Sequence, residues 1–325
     1  MAVFTLAVFR IMSSGGAGVE KEAAAESVEA EKEVEVCCAN CGIAQVDDIR
    51  LEECGDCQSV SYCSDICQEN HREQHEEECK KRKAELHDKE LFEQPDDTDD
   101  GDCPLCFIPM PIDQSKFRFH SCCCKLICIG CSYAHLISNG DDRCPFCREP
   151  AVNVEEEHDK RVMKRVKAND PNALLKMGTK RHEEGDYHGA FEYWTKAAEL
   201  GNTGAHYNLS ILYYRGEGVE KDEEKKVYHL EKAAIGGNPQ ARYSLGCGEE
   251  DNDNIERAVK HFVIAANLGY EKSMKAIWWH YSAGNITKEE LEATLRTHKA
   301  AIDATKSAQR DAGEAYYQRR AASAS

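Results

Sequence analysis

Positive charge is scarce in this chain. Its 325 residues carry 59 Asp and Glu against 41 Lys and Arg, a formal net charge of −18. Binding to phosphate backbones relies on clustered Lys and Arg, so a general nucleic-acid role is excluded. The one basic run, Lys80 to Lys83, reads as the solvated end of a helix. Long apolar stretches are missing as well, since no segment approaches the roughly 20 apolar residues of a membrane-spanning helix. The opening MAVFTLAVFRIMSSGG has no basic segment before its apolar stretch and is interrupted by Arg10, so it does not read as a secretory signal. Met12, before Ser-Ser-Gly-Gly, reads as an alternative start of translation. Cysteine is nearly absent from one half: of 18, 17 lie between Cys37 and Cys147, and only Cys247 follows. The expected setting is intracellular, cytoplasmic or nuclear, with no membrane or nucleic-acid partner and with thiols kept reduced for metal.

Composition divides what is present. Residues 1–36 are rich in Ala, Glu, Gly and Ser with few apolar anchors, and are expected to be disordered. Residues 86–101, ending in an acidic stretch, read as a linker between cysteine clusters at 37–85 and 102–150. From about residue 165 to 325 the pattern is helical and repetitive. AAELGNTGAHYNLS (197–210) aligns without gaps with AAIGGNPQARYSLG (233–246), a period of 36 residues. Copies beginning at Ala173 and at AANLGYEKSM (265–274) are offset by 32. Periods of this size predict an α-solenoid, in which each helix pair buries its apolar face only by stacking on its neighbours. The fold class expected is therefore mainly α, a C-terminal solenoid preceded by two small zinc-stabilised domains.

Ala205, Leu209, Tyr213, Gly216, Gly218, Val219, Asp222, Lys225, Tyr228, Lys232, Ala233, Ala234 and Gly237 resemble the Sel1-like repeat, a relative of the tetratricopeptide repeat. Small Ala205, Ala233 and Ala234 let helices approach, Gly216 and Gly218 permit the turn, and Asp222 can cap the second helix. A final helical stretch from Thr287 to about Arg320 is expected to cap the array.

The first cluster reads Cys38-x2-Cys41, Cys54-x2-Cys57, Cys63-x3-Cys67 and His75-x3-Cys79. Eight ligands in four close pairs suit two tetrahedral zinc ions. Cys37 is the alternative to Cys38, which keeps the two-residue gap to Cys41. His71 lies on the same helical face as His75 and is expected at the surface. The cluster resembles a MYND-type zinc finger, which implies one zinc on Cys38, Cys41, Cys63 and Cys67 and another on Cys54, Cys57, His75 and Cys79. It departs from that family in having no Trp in QENHREQH. Nothing resembles a SET methyltransferase core, so the finger is read as a protein-binding module.

The second cluster reads Cys103-x2-Cys106, Cys122-Cys123-Cys124, Cys128-x2-Cys131 and Cys144-x2-Cys147. Four thiol groups again suit two zinc ions, making four in the chain. CPLC at one end and CPFCR at the other resemble a RING finger, which implies Cys103, Cys106, Cys128 and Cys131 on one zinc. The other takes Cys144 and Cys147 with two of the triple. Ordinary RING spacing favours Cys122 and Cys124. A group of RING-like proteins with Sel1 repeats carries Cys-Cys-Gly-Lys, which aligned at Lys125 favours Cys122 and Cys123; that pair is adopted, with Cys124 the alternative. His120 and His135 fall outside the sets.

RING domains that act as ubiquitin ligases do no covalent chemistry; they hold a charged conjugating enzyme in position. The resemblance implies Leu105, Pro145 and Phe146 as an apolar docking surface and Arg148 as a hydrogen-bond donor. The function implied is a RING-type ubiquitin ligase, or a component of one, with protein partners chosen by the repeats and the MYND finger. The alternative is a non-catalytic scaffold. A thiol redox enzyme is disfavoured because the pairs repeat at zinc spacing without a βαβ setting.

Overall fold

A computed structural model describes residues 36–45, 49–152 and 154–324. The expectations for residues 1–35, Met12 included, lie outside the described residues. The remainder divides into two compact units at Lys80 and Lys81.

In the first unit, β1 (Glu52–Glu53) pairs antiparallel with β2 (Ser61–Tyr62), and α1 (Asp65–Leu91) begins three residues after the sheet. The buried residues here are Cys38, Cys54, Cys57, Tyr62 and His75, so almost nothing apolar is buried apart from the thiols themselves. A core this small needs another source of stability.

The second unit is helical apart from one hairpin. β3 (Phe117–His120) pairs antiparallel with β4 (Lys125–Cys128), setting Phe117 opposite Cys128 and His120 opposite Lys125. Then α2 (Ile129–Asn139) starts on Cys128, whose sulfur accepts from the Cys131 N–H, and ends on left-handed Gly140. After α3 (Glu155–Val166) come three closely packed helix pairs: α4 (Pro171–Glu183) with α5 (Tyr187–Glu199), α6 (Thr203–Arg215) with α7 (Glu223–Ile235), and α8 (Pro239–Asp251) with α9 (Ile255–Asn267); α10 (Glu271–Ser282) and α11 (Lys288–Ala304) follow, both packed mainly on α9. The last helix is α12 (Ala308–Ala324).

The repeat residues explain the pairs. Asp170, Asn202, Asp222 and Asn238 each accept a hydrogen bond from the first turn of the helix they precede, with Pro171 and Pro239 opening two of those helices. Ala173, Ala190, Ala205, Ala233, Ala234, Ala241, Ala258, Ala265 and Ala266 are buried where helices meet. Gly218 is left-handed and a Cβ there would stand 2.7 Å from the Tyr187 carbonyl carbon, so the turn after α6 also fits closely against α5.

Three expectations are corrected. Lys80 to Lys83 lie inside α1 rather than at its end, on exposed backbone that continues helical to Leu91. The stretch from Thr287 is broken by Thr305, Lys306 and Ser307, and α12 leaves the stack to pack on α2. Residues 86–101 are not a free linker. Leu91 is buried among Leu230, Ala233, Ala234, Ala241 and Leu245, and the fully buried Arg242 donates to the carbonyl oxygens of Leu91 and Glu93. Further along, Asn238 donates to the Asp99 carboxylate at 2.6 Å and Thr203 at 3.4 Å. The acidic composition conceals two apolar anchors, Leu91 and Phe92, and a row of repeat donors that satisfy the strap.

Candidate metal centres

One turn recurs at the cysteine pairs. The N–H of Gly42, Gln58, Phe107 and Arg148 donates to the carbonyl of Cys38, Cys54, Cys103 and Cys144, at 2.8 to 2.9 Å in each case. Each of those four donors follows the second cysteine of its pair and has a positive φ. The turn bends the backbone so that both sulfurs point to one side, which is what the two-residue gap is for. Only one of the four left-handed positions is glycine, so three carry the modest strain of an L-residue there.

The triple is a fifth copy of this turn. Cys124 has φ 53 and its N–H donates to the His120 carbonyl at 2.7 Å, so it occupies the position that follows the last thiol of a pair. Its sulfur therefore turns away from Cys122 and Cys123. It is buried instead against Val162, Ala173 and Met177. Burial, reinforced by nearby Asp170, pushes its thiol up to about 12, which keeps it protonated.

The structure brings the thiols together in four sets, with all donor atoms of a set within 4.8 Å of one another. In the first unit these are Cys38, Cys41, Cys63 and Cys67, and Cys54, Cys57, His75 and Cys79. In the second they are Cys103, Cys106, Cys128 and Cys131, and Cys122, Cys123, Cys144 and Cys147. In both regions the first group of the chain meets the third, and the second meets the fourth. Cys37 is exposed and outside the sets. His71 is also outside, though not simply a surface residue: its Nδ1 lies 3.0 Å from the Tyr62 hydroxyl and its ring stacks on His75.

These donors fit zinc. Sulfurs on a tetrahedral ion with bonds of about 2.3 Å stand about 3.8 Å apart. The Sγ pairs Cys41–Cys63, Cys54–Cys79, Cys63–Cys67, Cys106–Cys128 and Cys123–Cys144 lie at 3.5, 3.8, 3.6, 3.8 and 3.6 Å. No disulfide forms among the described residues. Within the third set the Cys103 thiol is held down to about 4, chiefly by the hydrogen bond from Cys128 against the opposing effect of burial, while Cys128 is pushed up.

The expected docking residues do not share one environment. Leu105 is 38% exposed and Arg148 is exposed, its guanidinium making no ion pair among the described residues. Pro145 is half-buried. Phe146 packs against the buried Met110–Ile127 cluster, with the Lys125 ammonium 4.6 Å above its ring. Phe107, 76% exposed, was not singled out by its sequence context, because nothing there signals that the turn would hold it outward.

Comparison with known families matches two regions of the chain. The MYND finger model matches residues 38–79, and the Sel1 repeat model matches 171–202, 203–238 and 240–270. The chain thus carries a MYND finger and three Sel1 repeats. It is similar to HcpC of Helicobacter pylori, 41% identical over 56 residues that make up 17% of this chain and 19% of that one. It is also similar to DAP3-binding cell death enhancer 1 of Mus musculus, 28% identical over 165 residues, 38% of this chain and 32% of the relative. The chain thus spans about a third or less of the length of these curated relatives. Among solved structures, a Sel1 repeat protein from Oxalobacter formigenes aligns with a TM-score of 0.41 at 21% identity, over 54% of this chain and 74% of that one. No helix among the described residues is long and apolar enough to cross a membrane.

Proposed function

We propose that this chain is a RING-type ubiquitin ligase, or a component of one, whose second cysteine region recruits a charged conjugating enzyme while the repeats and the MYND finger select protein partners. The observation that carries the reading is the interleaving of the 102–150 cysteines, with Cys103, Cys106, Cys128 and Cys131 in one set and Cys122, Cys123, Cys144 and Cys147 in the other. On this reading each of the four sets holds one zinc ion, and an intracellular setting keeps the thiols reduced. Zinc supplies structure here and takes no part in transfer; Leu105 contributes accessible apolar surface and Arg148 an uncommitted donor.

A scaffold without ligase activity is the second reading. It is favoured by one observation, the packing of Phe146 against the cluster of Met110 and Ile127 beneath Lys125, which leaves that member of the apolar docking surface only partly accessible. Ubiquitin discharge from a panel of charged conjugating enzymes separates the two. Stimulation by the zinc-loaded chain that is lost in Arg148→Asn, with zinc content unchanged, supports the ligase; Asn tolerates the left-handed backbone of position 148. A folded, zinc-replete chain that stimulates no enzyme in the panel leaves the scaffold.

A further inference from the structure

The helix α12 crosses α2 at a point where glycine faces glycine. A Cβ on Gly130 would lie 2.7 Å from the Arg310 nitrogen, and one on Gly313 would lie 2.7 Å from the Ile129 carbonyl oxygen. This backbone contact brings the start of α12 to the cysteines at the start of α2. Arg310 is 6% exposed there. Its Nη1 donates to the carbonyls of Pro109 and Thr305, both at 2.6 Å, and its Nη2 to Ile108 at 2.9 Å. The same Nη2 reaches Cys106 Sγ at 3.7 Å, and the neighbouring Gln309 Nε2 reaches Cys131 Sγ at 3.5 Å. Two donors, 178 and 204 residues distant in sequence from the sulfurs they face, thus point at a single set. Farther along the helix, Tyr317 bonds Ser132 at 2.9 Å and lies under the Arg118 guanidinium, which fixes the register of the crossing.

We propose that α12 completes the metal site of Cys103, Cys106, Cys128 and Cys131, with Arg310 and Gln309 as positioning residues whose N–H groups orient and stabilise the Cys106 and Cys131 thiolates. The proposal rests on the zinc reading, and it does not depend on ligase activity. Thiolates carry excess negative charge when four share one dication, and N–H donors behind the sulfurs disperse it and fix their direction. The other three sets have no such donor from a distant helix among the described residues.

The test uses the full-length zinc-loaded chain. Metal content is measured first, then the rate at which zinc passes to a chromogenic chelator, for the wild type, Gln309→Leu, Arg310→Met and Arg310→Lys. Four equivalents are expected in every case, with one leaving about tenfold faster in Gln309→Leu and in Arg310→Met. Arg310→Lys, which keeps a charged donor, should fall between. Because Arg310 also braces three carbonyls, Gln309→Leu is the sharper variant: Gln309 is exposed and its side-chain amide bonds Cys131 alone among the described residues. In the cadmium-113 form it should shift one all-sulfur resonance and leave the others in place, an effect that bracing alone does not produce. Release at the wild-type rate together with unmoved resonances would overturn the proposal. A wild-type chain that purifies without zinc overturns the zinc reading itself, and the proposal with it.

Discussion

The two cysteine regions share an interleaved layout and differ in what encloses it. Among the described residues of 36–80 the buried side chains nearly all belong to the two thiol sets, with Tyr62 the one large exception. In residues 102–150 the thiols share a cluster with Met110 and Ile127, Cys124 joins a cluster with Val162, Ala173 and Met177 from the helical stack, and α12 lies on α2. The same coordination pattern can therefore be the whole core of a small region or one part of a larger one. The difference predicts how each responds when metal is withdrawn.

The largest contrast comes from a strong chelator. Structural zinc contributes on the order of 10 kcal/mol to the folding of a small site. Residues 36–64 should lose all protection from hydrogen exchange when the metal is removed. The helices α4 to α9 should keep theirs, and α2, held by α12, should keep part. Equal loss of protection in both cysteine regions would mean that the helical surroundings of the second add nothing.

The second test sharpens the comparison within the triple. Cys122→Ser and Cys123→Ser should each cost one zinc equivalent, whereas Cys124→Ala should bind the full complement and lower stability by only about 1 kcal/mol through lost packing. A zinc deficit in Cys124→Ala, with none in Cys123→Ser, would transfer the ligand role to Cys124.

Much of this was legible in the sequence, and the failures have a common cause. The repeat period announced the helix pairs because glycine, alanine and capping residues recur at fixed offsets, and each acts locally: Asp222, for instance, caps α7 as its position suggests. The pairing of Cys38 with Cys41, or of Cys144 with Cys147, was visible for the same reason. What stayed hidden depends on partners far away in the chain. Acidic composition made residues 93–101 look like solvent-exposed chain, since Asn238 and Thr203 lie more than a hundred residues from Asp99. The role of Cys124 needed a φ value that no residue type reported, because the left-handed position held by Gly42 in one turn is held by Cys, Gln, Phe or Arg in the others. Nothing near Arg310 signalled that it reaches Ile108 and Cys106.

The strap provides a third measure of how far the helical stack governs its surroundings. Arg242→Met leaves the Leu91 and Glu93 carbonyls without their donor, a loss of about 3 kcal/mol for charge-assisted bonds to a buried group. Thermal unfolding should shift down, and exchange should accelerate first across residues 91–99. Unchanged exchange there would show that apolar contacts of Leu91 and Phe92 alone hold the strap.

The smallest effect concerns pH and tests whether the stack is stable on the same terms as the metal regions. His261 is fully buried, packs at 4.7 Å from Phe92, and has no hydrogen-bond partner for either nitrogen among the described residues. Burial first, then the Arg242 and Arg257 charges, hold its pKa at about 3, with Asp88 opposing them. The unfolded chain takes up a proton near 6.5 and the folded chain does not, so this residue makes the fold less stable as pH falls below that value. Linkage puts the loss at about 2 kcal/mol on going from pH 8 to pH 5. His261→Phe should remove that part of the dependence, seen as a smaller shift in the urea midpoint between the two pH values than in wild type. Zinc thiolates also lose metal to protons in this range, so the comparison is best read from probes in α8 and α9. If His261→Phe retains the full wild-type shift, the acid sensitivity of the stack originates at other groups, and His229, whose pKa burial and His206 lower to about 4, is the next to replace.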